Sequence, residues 1–475
     1  MIVDRWFPGA VSRGRRRQQL FTGVVLLTAA SGVGLVAVNW AVFALAGLAA
    51  VVVLTILLCR LDLVVALLAA DFSFNAYLNH GSGIITIDKL IGALAVIAWV
   101  LDCVLNRRPV LGTRQMWLIG AFLLWTGLSI AVAVSDKPAL VTSLRYVTFA
   151  TLYFLVVQTV RGDRRRADFL VKVVIVAAAV ASIIGLIAFF SHHVTRASGP
   201  IQDPNDFGFI LGSSAPLAIY QVRWSATRWA TALWCAALIL ILACTFATFS
   251  RSALAGLALA SLWAVVTGRL RLRWLAGLAM CLGAVAGIAF VAAPQLLSQA
   301  FGEKAYVATQ NVNTRIGFYR VAVNEWEHYP LTGVGPGNYV YRFYQFAPTV
   351  QESLPFPSNV LTISGEEAYL VILAEQGAVG LALFLGYLAL SWADLRRRFP
   401  DDERRDHLQA ATAAGFLVAC IGALFLAEQY YPPLWFLPAL AASLAAHPTG
   451  SQAGESTEAR PERTGTGTFV SGDGR

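Results

Sequence analysis

RGDRRRADFLVKVVIVAAAVASIIGLIAFF, Arg161 to Phe190, is the stretch that decides the fold. Four arginines precede a predominantly apolar run over 168–190. A bilayer span needs roughly 20 such residues. In lipid only a helix or a closed barrel satisfies every backbone group, and the run shows no barrel alternation. The pattern recurs. Apolar runs lie near 20–38, 41–59, 62–76, 89–105, 116–134, 144–160, 206–222, 228–248, 252–267, 272–293, 369–392, 408–426 and 431–446. The third, 62–76, is short enough to be re-entrant. The expected fold is all-α: a polytopic transmembrane helix bundle of about 12–14 spans, with one long structured extracytoplasmic loop that contains helices.

Composition agrees. The chain is 57% hydrophobic and 13% charged, with mean hydropathy +0.64, outside the range of soluble domains. The net charge of +9 is not a nucleic-acid footprint. Every arginine-rich loop precedes the first span or follows an even-numbered one, from Arg13–Arg17 to Arg404 and Arg405. The positive-inside rule then puts both termini in the cytoplasm. The six cysteines lie inside apolar spans without metal-ligand spacing, so they are expected to be small buried residues rather than ligands or disulfides. Five regions follow: a basic cytoplasmic arm (1–19), N-terminal transmembrane helices (20–293), an extracytoplasmic catalytic loop (294–368), C-terminal transmembrane helices (369–446) and a tail, disordered by composition, at 447–475.

Three outward-facing elements carry residues suited to chemistry. The first, RASGPIQDPNDFG from Arg196 to Gly208, holds Asp203 and Asn205 in a turn signature. The second is the hairpin Phe249–Ser252, where Arg251 sits between long apolar runs. A charge at such a depth is costly and marks a functional site. The third is the long loop. Arg315 heads an expected amphipathic helix whose periodic face would be Ile316, Tyr319 or Arg320, Val323 and Trp326 or Glu327. An arginine at a helix N-terminus opposes the macrodipole, which suggests it is placed for an anionic ligand. Tyr329-Pro330 ends that helix, and Gly333, Gly335 and Gly337 make an irregular turn. This GxGxG follows no strand, so it is not read as a nucleotide fingerprint.

Beyond it, Glu366 and Glu367 stand just before Tyr369, where the next span begins, and Glu375 lies two to three turns deeper. Glu366 and Glu367 read either as helix-start acids favoured by the dipole or as a general base and its neighbour. Glu428, on the outer side of a later span, and Arg145, at the outer start of span six, can join the cluster. Arginines bind phosphates with a fork geometry. Several of them facing a lipid-exposed cavity suit a pyrophosphate attached to a lipid, and arginine can replace a metal in stabilising that leaving group. No metal-ligand cluster and no cofactor motif appears.

These residues resemble the O-antigen ligase and polysaccharide polymerase superfamily of bacterial inner membranes, over about residues 190–390. The matching pieces are GPIQDPN (Gly199–Asn205), SRSAL from Ser250, the run from Arg315 through Trp326 to Pro330 and Gly333-x-Gly335-x-Gly337, and AYL…LAEQG…G from Ala368 to Gly380. The resemblance implies glycosyl transfer outside the cytoplasm. The donor would be a glycan on undecaprenyl pyrophosphate and the acceptor a hydroxyl of a glycan or lipid. It places the family's donor-binding arginines on Arg251 and Arg315. Where the family carries His-Asn before the Tyr-Leu, this chain has Glu366-Glu367; either Glu366 is the base, or the reaction or acceptor differs. The rival expectation is a multi-span transporter or flippase of lipid-linked glycan, which would line a path through the bilayer with charge.

Overall fold

The computed structural model describes residues 41–74, 87–191, 194–201, 203–269, 315–347, 367–426 and 428–445, with Gly283 and Gly287. The expected spans 20–38 and 272–293 and most of the loop at 294–368, Glu366 included, therefore lie outside the described residues. Among those described there is no strand, and the fold is an all-α polytopic bundle.

Among the described residues the helices with defined bounds are, in order, α1 (Ala41–Cys59), α2 (Leu61–Asp71), α3 (Ile87–Asn106), α4 (Arg114–Ser129), α5 (Asp136–Val160), α6 (Arg164–Phe190), α7 (Pro204–Arg223), α8 (Arg228–Ala247), α9 (Arg251–Val266), α10 (315–328), α11 (Tyr339–Phe346), α12 (Ala368–Leu395), α13 (Glu403–Gly422) and α14 (Pro433–Ala445). Six of the described helices are long and apolar enough to cross a membrane, or seven if a bent pair counts as one span. That pair is Ala49–Cys59 with Leu61–Asp71, bent by 100°. It is a broken span or a re-entrant loop, as the shortness of 62–76 suggested. The full count of 12–14 crossings is not reached among the described residues. Polar side chains dilute α7 and α13, while α9 and α14 are apolar but short.

Local chemistry sets the helix starts. Asp163 accepts the Arg165 amide at 2.8 Å to cap α6, Asp203 accepts those of Asn205 and Asp206 at α7, and Asp402 accepts that of Arg405 at α13. Each satisfies amides that the first helical turn leaves unpaired. α7 packs against α8 and α13, α4 against α12, and α14 against α5 and α13. The centre is aromatic: Tyr387 stacks on Trp435 at 5.2 Å, and Phe122 meets Tyr146 edge-on at 4.9 Å. Among the described residues the cysteines at 59, 103, 235, 244 and 420 form no disulfide. Cys281 lies outside the described residues.

The two ends of the bundle differ. At one end arginines tie the helices together. Arg164 pairs with Asp402 at 2.7 Å, Arg223 with Glu403 at 3.0 Å, and Arg404 with Asp168 at 2.7 Å. Trp117 and Trp229, at the starts of α4 and α8, are 83% and 87% exposed, as expected of rings in a membrane interface. At the opposite end lie the turns after α4, α6, α8 and α13; those after α4 and α13 bond to Asn338 and Arg315, and this end carries the candidate site.

Candidate active site

The loop end is organised around a break in a membrane helix. α12 loses helical geometry at Gly377 (φ 68°, ψ −171°). A broken helix exposes carbonyls and amides that lipid cannot satisfy. The turn after α10 satisfies them. Val334 and Gly335 donate to the Ala374 and Glu375 carbonyls at 2.8 and 2.9 Å, and Ala378 donates to the Pro330 carbonyl at 2.8 Å. The turn must lie almost against the helix backbone to do this. A Cβ on Gly333 would stand 2.5 Å from the Ala374 oxygen, and one on Gly377 would collide with the Leu331 carbonyl. Both glycines also have positive φ. The GxGxG pattern is therefore a clasp on a broken span.

Two further contacts fix it. Trp125 Nε1 donates to the Gln376 carbonyl at 2.9 Å, and Asn338 Oδ1 accepts the Ser135 amide at 2.9 Å.

α10 docks above this clasp with a face different from the expected one. Gly317, Phe318, Val321, Ala322 and Glu325 are buried, whereas Ile316, Arg320 and Glu327 are exposed. Both faces hold apolar residues, so periodicity alone could not choose. Packing against Tyr339, Phe343 and Ala374 does. α11 follows the glycine turn and ends before the prolines. Pro348, Pro355 and Pro357 lie outside the described residues.

The turn at 423–432, between α13 and α14, gathers most of the named side chains. Arg315 donates to the Phe425 carbonyl at 3.1 Å. Ala368 donates to the Ala423 carbonyl at 2.9 Å, which brings Glu367 and the start of α12 to the same turn. Glu367 is itself the N-cap of α12. Its Oε2 accepts the Leu370 amide at 2.6 Å, and its side chain is 7% exposed. Burial raises its carboxyl to about 7, against the pull of the Leu370 and Tyr369 amides. Tyr369 donates to the Cys420 carbonyl at 3.1 Å. Arg145 lies over the Tyr430 ring at 5.7 Å. Glu375, 4% exposed, is set against the amides of Gly337 and Tyr339 and the Tyr430 hydroxyl, with the Arg145 charge nearby. Tyr431 donates to Asp206. Glu428 belongs to the short helix Glu428–Tyr430, but its side chain is outside the described set.

A second group joins through Asp206 and the start of α7. Arg196 Nε donates to the Thr248 carbonyl at 2.9 Å, and its terminal nitrogen donates to Asn205 Oδ1 at 2.7 Å. Ala197 donates to the Ala247 carbonyl at 2.9 Å. The 194–201 loop is thereby fastened to the hairpin that carries Arg251. Arg251 is the first residue of α9, behind the Ser250 cap. It is exposed and makes no hydrogen bond or ion pair among the described residues. Asp203 caps α7, bonding the local backbone as its turn signature suggests, whereas the Asn205 side chain accepts from Arg196 instead.

Tyr430, Tyr431, Asp206 and Glu325 were not singled out from sequence. EQYYPP (Glu428–Pro433), a polar and aromatic interruption between two apolar runs, was the available signal for the first two.

Residues 236–385 match the family model described as O-antigen ligase. That segment is similar to an O-antigen ligase/polymerase-like family. The matched segment runs from α8 into α12 and contains Arg251, Arg315, the glycine clasp, Glu366, Glu367 and Glu375. Arg145, Arg196, Asp203, Asn205 and Glu428 lie outside it; of these, Arg196 bonds to Thr248 within the segment and the Arg145 charge acts on Glu375. A comparison with curated proteins found no match.

Proposed function

We propose that this ligase-type membrane protein transfers or polymerises a glycan carried on undecaprenyl pyrophosphate, at the outer face of a bacterial cytoplasmic membrane, in surface-polysaccharide synthesis. Both termini would then be cytoplasmic, and the acceptor would be a hydroxyl of a glycan or a lipid. The observation that carries this reading is the convergence on the 423–432 turn: Arg315 on Phe425, Arg145 over Tyr430, and Asp206, beside the Arg196–Asn205 pair, on Tyr431.

Arg251 and Arg315 would bind the pyrophosphate oxygens and offset the charge that grows as it leaves. Guanidinium groups, with their planar fork of donors, are well suited to that task. The acceptor oxygen attacks the anomeric carbon as the bond from that carbon to the pyrophosphate oxygen breaks. Glu366 takes the hydroxyl proton, and undecaprenyl pyrophosphate departs. Glu367 stands beside it as the cap that fixes the start of α12. No metal ion is needed in this scheme, because the arginines supply the positive charge.

Glycan size on gels tests the reading, in a deletion strain complemented with wild type or Arg315→Ala. Loss of polymer rescued only by wild type supports it. Single-unit glycans would indicate a polymerase and unattached long chains a ligase. Unchanged glycans together with altered flux of lipid-linked glycan would favour transport.

A further inference from the structure

Two acids meet where the loop docks on the bundle. Glu325, on α10, is fully buried, and among the described residues neither of its carboxyl oxygens has a hydrogen-bond partner. Glu375, on α12, lies close enough to act on it electrostatically, and its Oε2 also lacks a partner. The groups around the pair come from every neighbouring element. α11 supplies Arg342, whose NH1 donates to the Tyr329 hydroxyl at 2.5 Å and whose buried Nε is unpaired. α5 supplies Arg145 and Tyr146, and the turn after α13 supplies Tyr430. On α10 itself, His328 is exposed and bonded to the Asn324 carbonyl.

The two acids are not equivalent. Donors surround Glu375: two amides, the Tyr430 hydroxyl and the Arg145 charge. Among the described residues Glu325 has none of these; Arg342 is the one charge set against its burial, and an anion in a buried interface is costly.

The geometry points to Glu325 as a positioning residue: it carries a proton opposite Glu375 and so keeps α10, with Arg315 at its head, seated on the broken span. When the proton leaves, two like charges face each other across the α10–α12 contact, and α10 loosens. Arg315 lies ten residues before Glu325, about 15 Å along the helix at 1.5 Å per residue, so a shift at one end displaces the other. Seating of α10 stands on these contacts alone. Its effect on transfer rests on the function proposed above.

Burial pushes the Glu325 carboxyl from 4.5 to about 9; Glu375 adds to the rise and Arg342 opposes it. A carboxyl raised on docking binds its proton more tightly in the docked state. Docking is therefore strongest below about 4.5 and is lost as the pH rises through about 9.

The test uses the full chain in nanodiscs, titrated across that window, with two readouts. Infrared difference spectra of wild type against Glu325→Gln should show a protonated-carboxyl band in wild type only, fading as the pH approaches about 9. Hydrogen exchange of residues 315–347, corrected for its intrinsic pH dependence, should show wild-type protection falling by up to about tenfold per pH unit and a flat profile in the variant. A carboxyl band unchanged by the substitution, or wild-type protection independent of pH, overturns the proposal. The wild-type exchange decides even if the variant does not fold. If both readouts behave as expected while glycan transfer is absent at every pH, the seating of α10 stands and the transferase reading falls.

Discussion

Arg315 and Phe425 are 110 residues apart in sequence, yet the guanidinium of one donates to the carbonyl of the other at 3.1 Å. That bond takes one edge of a planar five-donor group. The arginine is aimed over the α13–α14 turn, while Arg251 on the hairpin is exposed. Arg315→Ala and Arg251→Ala should each lower transfer by about 10²-fold or more, the scale of losing one charge-stabilising donor in an active site. Immunoblots of membrane fractions should show normal insertion. Wild-type turnover in either variant would remove the pyrophosphate assignment.

Glu367 is engaged as a cap, whereas Glu366 is assigned the proton. Glu366→Gln should therefore slow transfer with little change in thermal stability. Glu367→Gln should cost about 1 kcal/mol, typical of a lost N-cap, and leave more of the activity. Parallel melting curves and product assays separate the two. Equal, mild losses of activity would reduce both residues to helix-start acids.

Glu367 also predicts a pH effect. Its carboxyl is raised from 4.5 to about 7 by burial, so the folded state binds the proton more tightly than the unfolded state. Its contribution to stability is complete below about 4.5 and is lost as the pH rises through about 7. The melting temperature of wild type should fall across that interval, and Glu367→Gln should flatten this part of the profile. A wild-type profile identical to the variant's would contradict the buried placement.

Gly377→Ala should damage the clasp. The substitution places a Cβ on a residue at φ 68°, against the Leu331 carbonyl. At φ 68°, ψ −171° the backbone is in a region essentially reserved for glycine, which costs about 1–3 kcal/mol, and the collision adds to it. Limited proteolysis between α10 and α12 should become faster in the variant. Unchanged protection would mean that the turn holds without its close approach.

Chelation should have no effect on transfer, because arginines are assigned the charge that a metal would otherwise supply. Inhibition by EDTA that is reversed by a divalent ion would overturn that part of the scheme.

The helices were largely legible because membrane insertion writes itself locally. Arg164–Phe190 and Ala368–Leu395 emerge within a few residues of the apolar runs that announced them. The arginines of Arg164, Arg223 and Arg404 also share one end, as their loop positions required. Within the site, the elements bearing Arg196, Asn205, Arg251 and Arg315 could be placed on one face from span order alone. The buried face of α10 could not be read, because Ile316 and Val323 on one side and Phe318 and Val321 on the other are equally apolar. Only docking on α12 distinguishes them. Glu325 was hidden for the same reason: a glutamate in a polar loop looks solvated until its neighbours are known.

The clasp at Gly333–Gly337 has a consequence for biogenesis. α12 is incomplete by itself, since the amides that satisfy its broken backbone belong to residues translated some forty positions earlier. The nascent chain must bring that turn to the side of the membrane where α12 breaks before α12 can settle in lipid. Maturation of the final helices is thereby tied to correct delivery of the loop, and a copy whose loop stays on the wrong side would retain an unsatisfied, poorly seated helix open to membrane proteases.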